Sequence, residues 1–526
     1  MTRREDLSGT HHSKLVDLVL DAQREAEWER EQRLQLEQQL RWFKKQLFGA
    51  KSERRVVEEP SSQLSLGEGS LGERTTSTEP ASPGTPVRGH QRRPCQSRNE
   101  SDDSGLRFDD SVPVETIEIP NPEIEGLSET EYSEVTEKHS YRLAQRPGSY
   151  VVLKIVRKTI KRKDTQELSC PPAPPSVLEK SYADVSLLAG MLIDKFRYHL
   201  PLYRQHQRMR AAGVTVSRAS LTSWVGQAID LLEPIYHAQQ DSILKSRVLA
   251  MDETPIRAGR KAKGRMRTAY FWPLYGDQDE VSFPYAPSRS KRHAEEILGP
   301  YCGTLLTDGY HAYASYAERR EKVVHALCWV HARRGFVNAQ DVEPVRAQVA
   351  LDFIAKLYET ETQIRDQKLE GTAKLRARAE KSKPVVEEFF VWLERELAQS
   401  ALLPTNPFTK AAVYARERKR GLEVFLADPD VPMDTNHLER ALRVIPMGRK
   451  NWMFCWTEVG AERVGRIQSL LATCVLHEVD PYTYLVDVLQ RIDQHPQSKV
   501  TELTPRLWKE HFADAPMRSM LDRARP

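Results

Sequence analysis

Between residues 248 and 336 short apolar runs alternate with helical stretches, and this alternation constrains the fold more than any other feature of the chain. VLAMDETPI (248–256), TAYFWPLYG (268–276) and VSFPYAP (281–287) are β-like runs separated by turns. SKRHAEEILG follows with helical character, TLLTDGY (304–310) is another apolar strand, and VVHALCWVHARRGF (323–336) reads as a strand running into a helix. The order β-β-β-α-β-α-β-α predicts an α/β unit in which helices cover a sheet. Asp252 and Asp308 each close an apolar strand run. An acid there is usually a turn former, so neither is informative alone. Two carboxylates on neighbouring strand ends, however, repel unless a divalent cation lies between them. Glu439, on a predicted helix TNHLERALRVIP (435–446), can supply a third carboxylate. Magnesium or manganese suits such a set, and two ions about 4 Å apart can activate an attacking oxygen and stabilise a leaving one.

The flanking sequence divides into distinct regions. Residues 13–57 predict one long helix, in which Leu15, Val19, Ala22, Ala26, Glu29, Arg33, Leu36, Leu40, Phe43 and Leu47 follow a four–three spacing. This heptad seam makes 1–57 a coiled-coil, zipper-like region through which the chain is expected to self-associate; a helix packed on its own chain is the alternative. Residues 58–113, rich in Ser, Pro, Gly and Glu, bury too little to fold and read as a linker. Alternating residues in 114–170 (VETIEI, SYVVLKIVRKTIKR) predict a small β module. Across 171–243 the pattern turns helical, with a break at Gly213 and Ser217 as an N-cap. This is a helix-turn-helix pattern that would aim Arg218, Ser220 and Thr222 at DNA, with an ordinary αα-hairpin as the alternative. Residues 341–424 are helical and charged, and 471–526 are mostly helical.

Two basic clusters stand out on a chain whose net charge is only +4: RAGRKAKGRMR (257–267) and KIVRKTIKRK (154–163). Both are candidate phosphate-contact patches, or else solvated faces. Arg440 and Arg443 flank the third acid; Arg443 can pair with Glu439 or hold a phosphate. Gly448, Arg449, Lys450 and Asn451 read as a basic turn able to meet DNA. Trp452 can stack on a base or fill the core. No apolar run approaches the roughly 18–20 residues a membrane helix needs, and MTRREDLSGTHHSK lacks the apolar core of a signal peptide. Cys95, Cys170, Cys302, Cys328, Cys455 and Cys474 are scattered singly, forming neither a disulfide framework nor a metal clip. A cytoplasmic location is expected.

The strings MDETPI, TDGY, CWVHARR and NHLERALR…GRKNW resemble the DDE transposases of the insertion-sequence-66 type, the TnpC proteins. The resemblance extends from RWFKKQLFGAKSE through HLPLYRQ and SWVG to YLVDVL and TELTPRLW. It implies a ribonuclease-H-like catalytic core over 244–340 and 425–470, interrupted by a helical insertion at 341–424. Asp252, Asp308 and Glu439 would be the catalytic, metal-binding acids, and CWVHARR would bring Cys328 and His331 near the site, with Asn436 as a further accessory candidate. The implied partner is double-stranded DNA, both element ends and target. A homo-oligomer and small accessory proteins are further implied. The implied reaction is hydrolysis of a phosphodiester followed by attack of the freed 3′-hydroxyl on target DNA. Family members commonly carry a four-cysteine zinc module; this region offers only Cys170, so no zinc is expected. The competing readings are a non-catalytic dimeric DNA-binding protein and a nuclease lacking the joining step.

Overall fold

The computed structural model describes residues 106–523, apart from 111, 126–127, 129–130, 147, 180, 263–264, 400–402, 453–454 and 456. Of residues 1–105 only Gln23 is also described, so the predicted heptad seam and most of the predicted linker lie outside the described residues. The end of that linker does not behave as one. Arg107–Phe108 pairs antiparallel with Val214–Thr215, and Val112 is buried. Residues 106–113 therefore join the fold, because Leu106, Phe108 and Val112 bring apolar surface to a stretch otherwise polar. Among the described residues no helix is long and apolar enough to cross a membrane.

The β module is built on three strands, β1 (Val114–Ile119), β2 (Tyr132–Arg146) and β3 (Ser149–Arg162). The central strand β3 pairs parallel with β1 and antiparallel with β2. Val152, Leu153 and Ile155 are fully buried, so β3 contributes apolar side chains to both faces. Three members of the basic cluster are engaged locally: Lys158 meets Glu134 at 3.1 Å, Arg162 meets Asp164 at 3.0 Å, and Arg157 donates to the Pro171 carbonyl.

Four helices follow: α1 (Val185–Phe196), α2 (Leu202–Ala211), α3 (Arg218–Leu231) and α4 (Glu233–Ile243). Ser217 caps α3 by accepting a hydrogen bond from the Ser220 amide at 3.0 Å, which satisfies one orphan donor of the first turn. The turn between α2 and α3 passes through Gly213 at φ 81°, where a Cβ would meet the Asp109 carboxylate at 2.4 Å. Glycine is thus favoured there by its left-handed backbone conformation.

The three predicted strand runs of the core are present, but each is broken in two. The first gives β4 (Val248–Met251) and β5 (Thr254–Ala262), the second β6 (Arg265–Phe271) and β7 (Leu274–Tyr275), the third β8 (Val281–Ser282) and β9 (Tyr285–Ala286). The breaks fall at Asp252–Glu253, Trp272–Pro273 and Phe283–Pro284. Proline cannot donate to a ladder, and Pro273 and Pro284 instead offer their carbonyls to the amides of Asp252 (3.2 Å) and Trp272 (2.8 Å). The chain then continues as α5 (Lys291–Leu298), β10 (Gly303–Thr307), α6 (His311–Glu318), β11 (Val323–Leu327) and α7 (Trp329–Ala339). The main sheet has five strands in the order β8-β7-β4-β10-β11. β4, β10 and β11 are parallel, while β7 and β8 run antiparallel. The outer halves form a second sheet, β9-β6-β5.

Residues 341–424 are helical, as expected, giving α8 (Pro344–Asp366), α9 (Gly371–Ala377), α10 (Lys383–Leu397), α11 (Pro407–Glu417) and α12 (Lys419–Ala427). An aromatic cluster joins them to α7. Trp329 lies 5.6 Å from Phe389, and Phe336 lies 6.0 Å from Phe389 and 5.9 Å from Phe408, centroid to centroid. Each such fully buried ring contributes about 1.5–3 kcal/mol. The chain ends with α13 (Asn436–Leu442), α14 (Val444–Trp452), α15 (Glu458–Leu476), α16 (Pro481–Arg491) and α17 (Pro505–His511). Two expectations are corrected here. Gly448, Arg449, Lys450 and Asn451 form no turn; they continue α14, whose other residues tolerate one glycine. The boundary expected at residue 470 falls inside α15, an unbroken helix with Ile467, Leu470, Leu471 and Cys474 buried on both sides of it.

Candidate functional site

Asp252 and Asp308 owe their proximity to strand register. Ala250 on β4 lies opposite Leu306 on β10 in a parallel pair, so the two acids occupy equivalent positions just past their strands. Asp252 accepts from the Glu253 amide at 2.8 Å, and Asp308 from the Tyr310 amide at 2.8 Å, which fixes both carboxylates. Glu253, next to Asp252 in the strand break, adds a third acid. Ligand oxygens of Asp252, Glu253 and Asp308 all lie within 4.8 Å of one another. Burial first, then the charges of Glu253, Asp308 and Glu439, pushes Asp252 up to about 7. Burial likewise raises Glu253, against a hydrogen bond from the Tyr313 hydroxyl and an ion pair with Arg289. The repulsion expected between neighbouring carboxylates is therefore present, and it is what a divalent cation would neutralise.

Glu439 comes from α13, on the far side of the helical insertion. It is close enough to raise Asp252, and its ion-pair partner is Arg334 at 3.7 Å rather than Arg443. The start of α13 is held by the end of β11. Cys328 donates its amide to the Thr307 carbonyl at 3.0 Å, next to Asp308. Its sulfur accepts from both the amide and the hydroxyl of Thr435, each at 3.3 Å. Thr435 in turn accepts the Glu439 amide at 2.9 Å. Trp329 adds two further ties, from its amide to Met433 at 3.1 Å and from its indole to Leu422 at 2.9 Å. Cys328 is thus buried and joins the segments carrying the second and third acids; burial pushes its thiol upward.

His331, one turn into α7, lies in the field of Asp308 and Glu439, which oppose the downward push of burial on its imidazole. Its Nδ1 is buried with no hydrogen-bond partner among the described residues. The accessory candidate Asn436 is engaged with Asp434, through its amide at 3.0 Å and its side chain at 2.6 Å. Arg440, Arg443 and Lys450 are exposed on α13, at its end and on α14, whereas Arg449 donates to the Pro255 carbonyl. On α3, Arg218 is exposed with its guanidinium 5.9 Å from the Tyr203 ring. Ser220 closes the cap with Ser217, and the Thr222 hydroxyl donates back to the Arg218 carbonyl at 3.0 Å.

Sequence reasoning missed Glu253, Arg289 and Tyr313. Glu253 carried a signal, since MDETP sets two acids side by side at a strand end. Arg289 and Tyr313 carried none, because only the fold brings them to Glu253.

Comparison with known proteins bears on the whole chain. Residues 180–463 match the family described as Transposase IS66 family, and residues 469–506 match the IS66 C-terminal element. Residues 35–117 match the family described as Transposase C of IS166 homeodomain. Two relatives come from Sinorhizobium fredii. The uncharacterized protein y4hP is 31% identical over 406 residues, covering 72% of each chain. The uncharacterized protein y4jD is 31% identical over 360 residues, covering 64% of this chain and 68% of its own. The first match alone spans more than half of the sequence and includes all three predicted acids, and the chain belongs to the IS66 family of transposases.

Proposed function

We propose that the chain is a DDE transposase in which Asp252, Asp308 and Glu439 form the catalytic site for cutting and joining DNA. The observation that carries this reading is the convergence of Asp252 and Asp308 at the ends of paired parallel strands, with the charge of Glu439 reaching Asp252 from a helix whose start is tied through Cys328 to the end of the next strand. The sheet order, with an antiparallel pair on one side of β4 and parallel strands on the other, supports a ribonuclease-H-like core carrying a helical insertion. The crowded carboxylates fit divalent metal: Asp252 and Asp308, clustered with Glu253, would hold magnesium or manganese, and Glu439, which lies outside that cluster but whose charge acts on Asp252, would complete the set. When bound, such ions polarise phosphoryl oxygens and lower the pKa of water. The chain's own contribution is to hold the acids fixed and to carry the exposed cationic groups Arg440, Arg443 and Lys450 on and just after the helix that bears Glu439. The exposed start of α3, with Arg218, is suited to the double-stranded DNA of an element end, and the N-terminal heptads to pairing two such ends in an oligomer. Small accessory proteins fit the same scheme.

A strand-transfer assay with the purified full chain, magnesium and candidate element ends tests the proposal. Joined products are expected from the wild type, and Asp252→Ala, Asp308→Ala and Glu439→Ala should each abolish cleavage while end binding survives. Undiminished cleavage by any of the three removes that residue from the site. Cleavage without joining would leave a nuclease, and binding without cleavage a DNA-binding protein.

A further inference from the structure

The two basic clusters of the sequence meet different fates in the fold. On β3, Arg157, Lys158 and Arg162 are taken up by a carbonyl and by acids close to them in the sequence and the sheet. The charges of RAGRKAKGRMR lie on the outer half of the β5–β6 hairpin, where Arg257, Arg260, Lys261, Arg265 and Arg267 are all exposed. The hairpin is firmly rooted. Cys455 donates its amide to the Arg257 carbonyl at 2.9 Å and accepts the Gly259 amide at 3.2 Å. Gly259 takes φ 70° in the bulged stretch between Arg257 and Arg260. Beside the hairpin runs an open groove of about 910 Å³. Of its seven lining residues four are basic, Arg257, Lys261, Arg265 and Arg267, and none is acidic. Arg267 shares Glu458 at 3.3 Å, and Arg257 is oriented by a hydrogen bond to Thr268.

The position of the groove gives it a meaning. β5 begins two residues after Asp252, so the hairpin grows directly out of the strand that carries the first acid. Lys261 lies nine residues after Asp252 along this bulged strand, a reach of at most roughly 25–30 Å at about 3.3 Å per residue. A DNA duplex rises about 3.4 Å per base pair along each strand, so this reach corresponds to roughly eight base pairs. A concave, rooted surface lined by four cations, with one acid, Glu458, paired at its edge to Arg267, complements a regularly spaced row of phosphates.

We propose that this groove is a track for the phosphate backbone of duplex DNA, running outward from Asp252 and Asp308 and separate from the α2–α3 helix pair. It rests on the reading that the acidic site works on DNA. Its recognition is of phosphates, independent of sequence.

The test measures the salt dependence of binding of the full chain to an arbitrary-sequence duplex of about 30 base pairs, by fluorescence anisotropy in EDTA so that no cleavage intervenes. Lys261→Gln/Arg265→Gln should flatten the plot of log K against log salt by about 1.8, since each lost phosphate contact contributes about 0.9. The charge-preserving pair Lys261→Arg/Arg265→Lys should restore the wild-type slope. A control of equal charge change on the exposed Lys368 and Arg376, Lys368→Gln/Arg376→Gln, should leave it unaltered. An unchanged slope in Lys261→Gln/Arg265→Gln, or an equal fall in the control, overturns the track. If the wild type binds no duplex at any salt, the transposase reading fails, and the track with it. Both hairpin residues are exposed, and an unaltered melting temperature of the double variant excludes misfolding as the cause.

Discussion

Replacing Asp252 with Asn should stabilise the metal-free chain. Burial and three neighbouring acids raise the Asp252 carboxyl to about 7, well above its value in an unfolded chain. A raised acid holds its proton more tightly when folded, so its charged form opposes folding. The sign follows by linkage: the penalty is absent below the unfolded value near pH 4, grows between pH 4 and 7, and is complete above the folded value. At about 1.4 kcal/mol per pKa unit the full penalty is on the order of 4 kcal/mol, and solvent reaching this partly exposed side chain reduces it to about 2 kcal/mol. Asn keeps the shape and removes the charge. Urea unfolding of the full chain in EDTA should therefore show Asp252→Asn more stable by about 2 kcal/mol at pH 8, with the gap closing toward pH 4. Adding magnesium should stabilise the wild type and close the gap at pH 8 as well, because binding to the folded state alone raises stability by mass action. An Asn variant less stable than wild type at pH 8 in EDTA, or a gap that ignores pH, would refute the account of crowded charge.

Two further outcomes follow from the ties that hold the third acid. Cys328→Val removes the acceptor for Thr435, which should cost about 1–3 kcal/mol and weaken manganese binding by titration calorimetry, whereas Cys328→Ser, which keeps an acceptor, should retain most of that affinity. Equal metal affinity in the Val variant would make Cys328 a packing residue only. Arg378 is fully buried, pairs with Glu361, and donates to the carbonyls of Phe425, Asp428 and Val431. Arg378→Met strands a carboxylate and three carbonyls, so denaturant unfolding should show a loss of about 3–5 kcal/mol, and a loss below about 1 kcal/mol would contradict the latch.

Much of the architecture is legible from periodicity. The apolar runs around Asp252 and Asp308 can only be strands of a covered sheet, and the spacing places the two acids at equivalent strand ends. The helical insertion is equally plain, because 341–424 has a helical, charged pattern with few strand formers. Other features depend on tertiary context. β2 carries Glu134, Glu137, Lys138 and Arg142, so its sequence gives little strand signal; its pairing with β3 supplies the order. Gly448 reads as a break because an isolated glycine is a weak helix former, yet its neighbours and the buried Ile445 keep α14 continuous. Cys328 reads as an accessory residue near the site or a packed thiol, and its tie to Thr435 spans a gap of more than a hundred residues that no local pattern can predict. Glu253 is overlooked because an acid beside a stronger candidate passes for a solvated neighbour until the strand break turns it inward.

The separation of the third acid from the first two also sets an order of events during synthesis. Strands β4 and β10 can pair, and bring Asp252 to Asp308, once the chain has been made a little beyond β11. Glu439 emerges from the ribosome about 130 residues after Asp308, a delay on the order of 10 s at about 5–20 residues per second. Until then Cys328 has no Thr435 to hold, and the site carries two of its three proposed acids. A nascent or prematurely terminated chain would thus possess α3 and the basic hairpin while lacking the full acid set. On the proposed function, such truncated products would lack the acid set that cutting requires, and incomplete translation would be a source of inactive competitors for the finished protein.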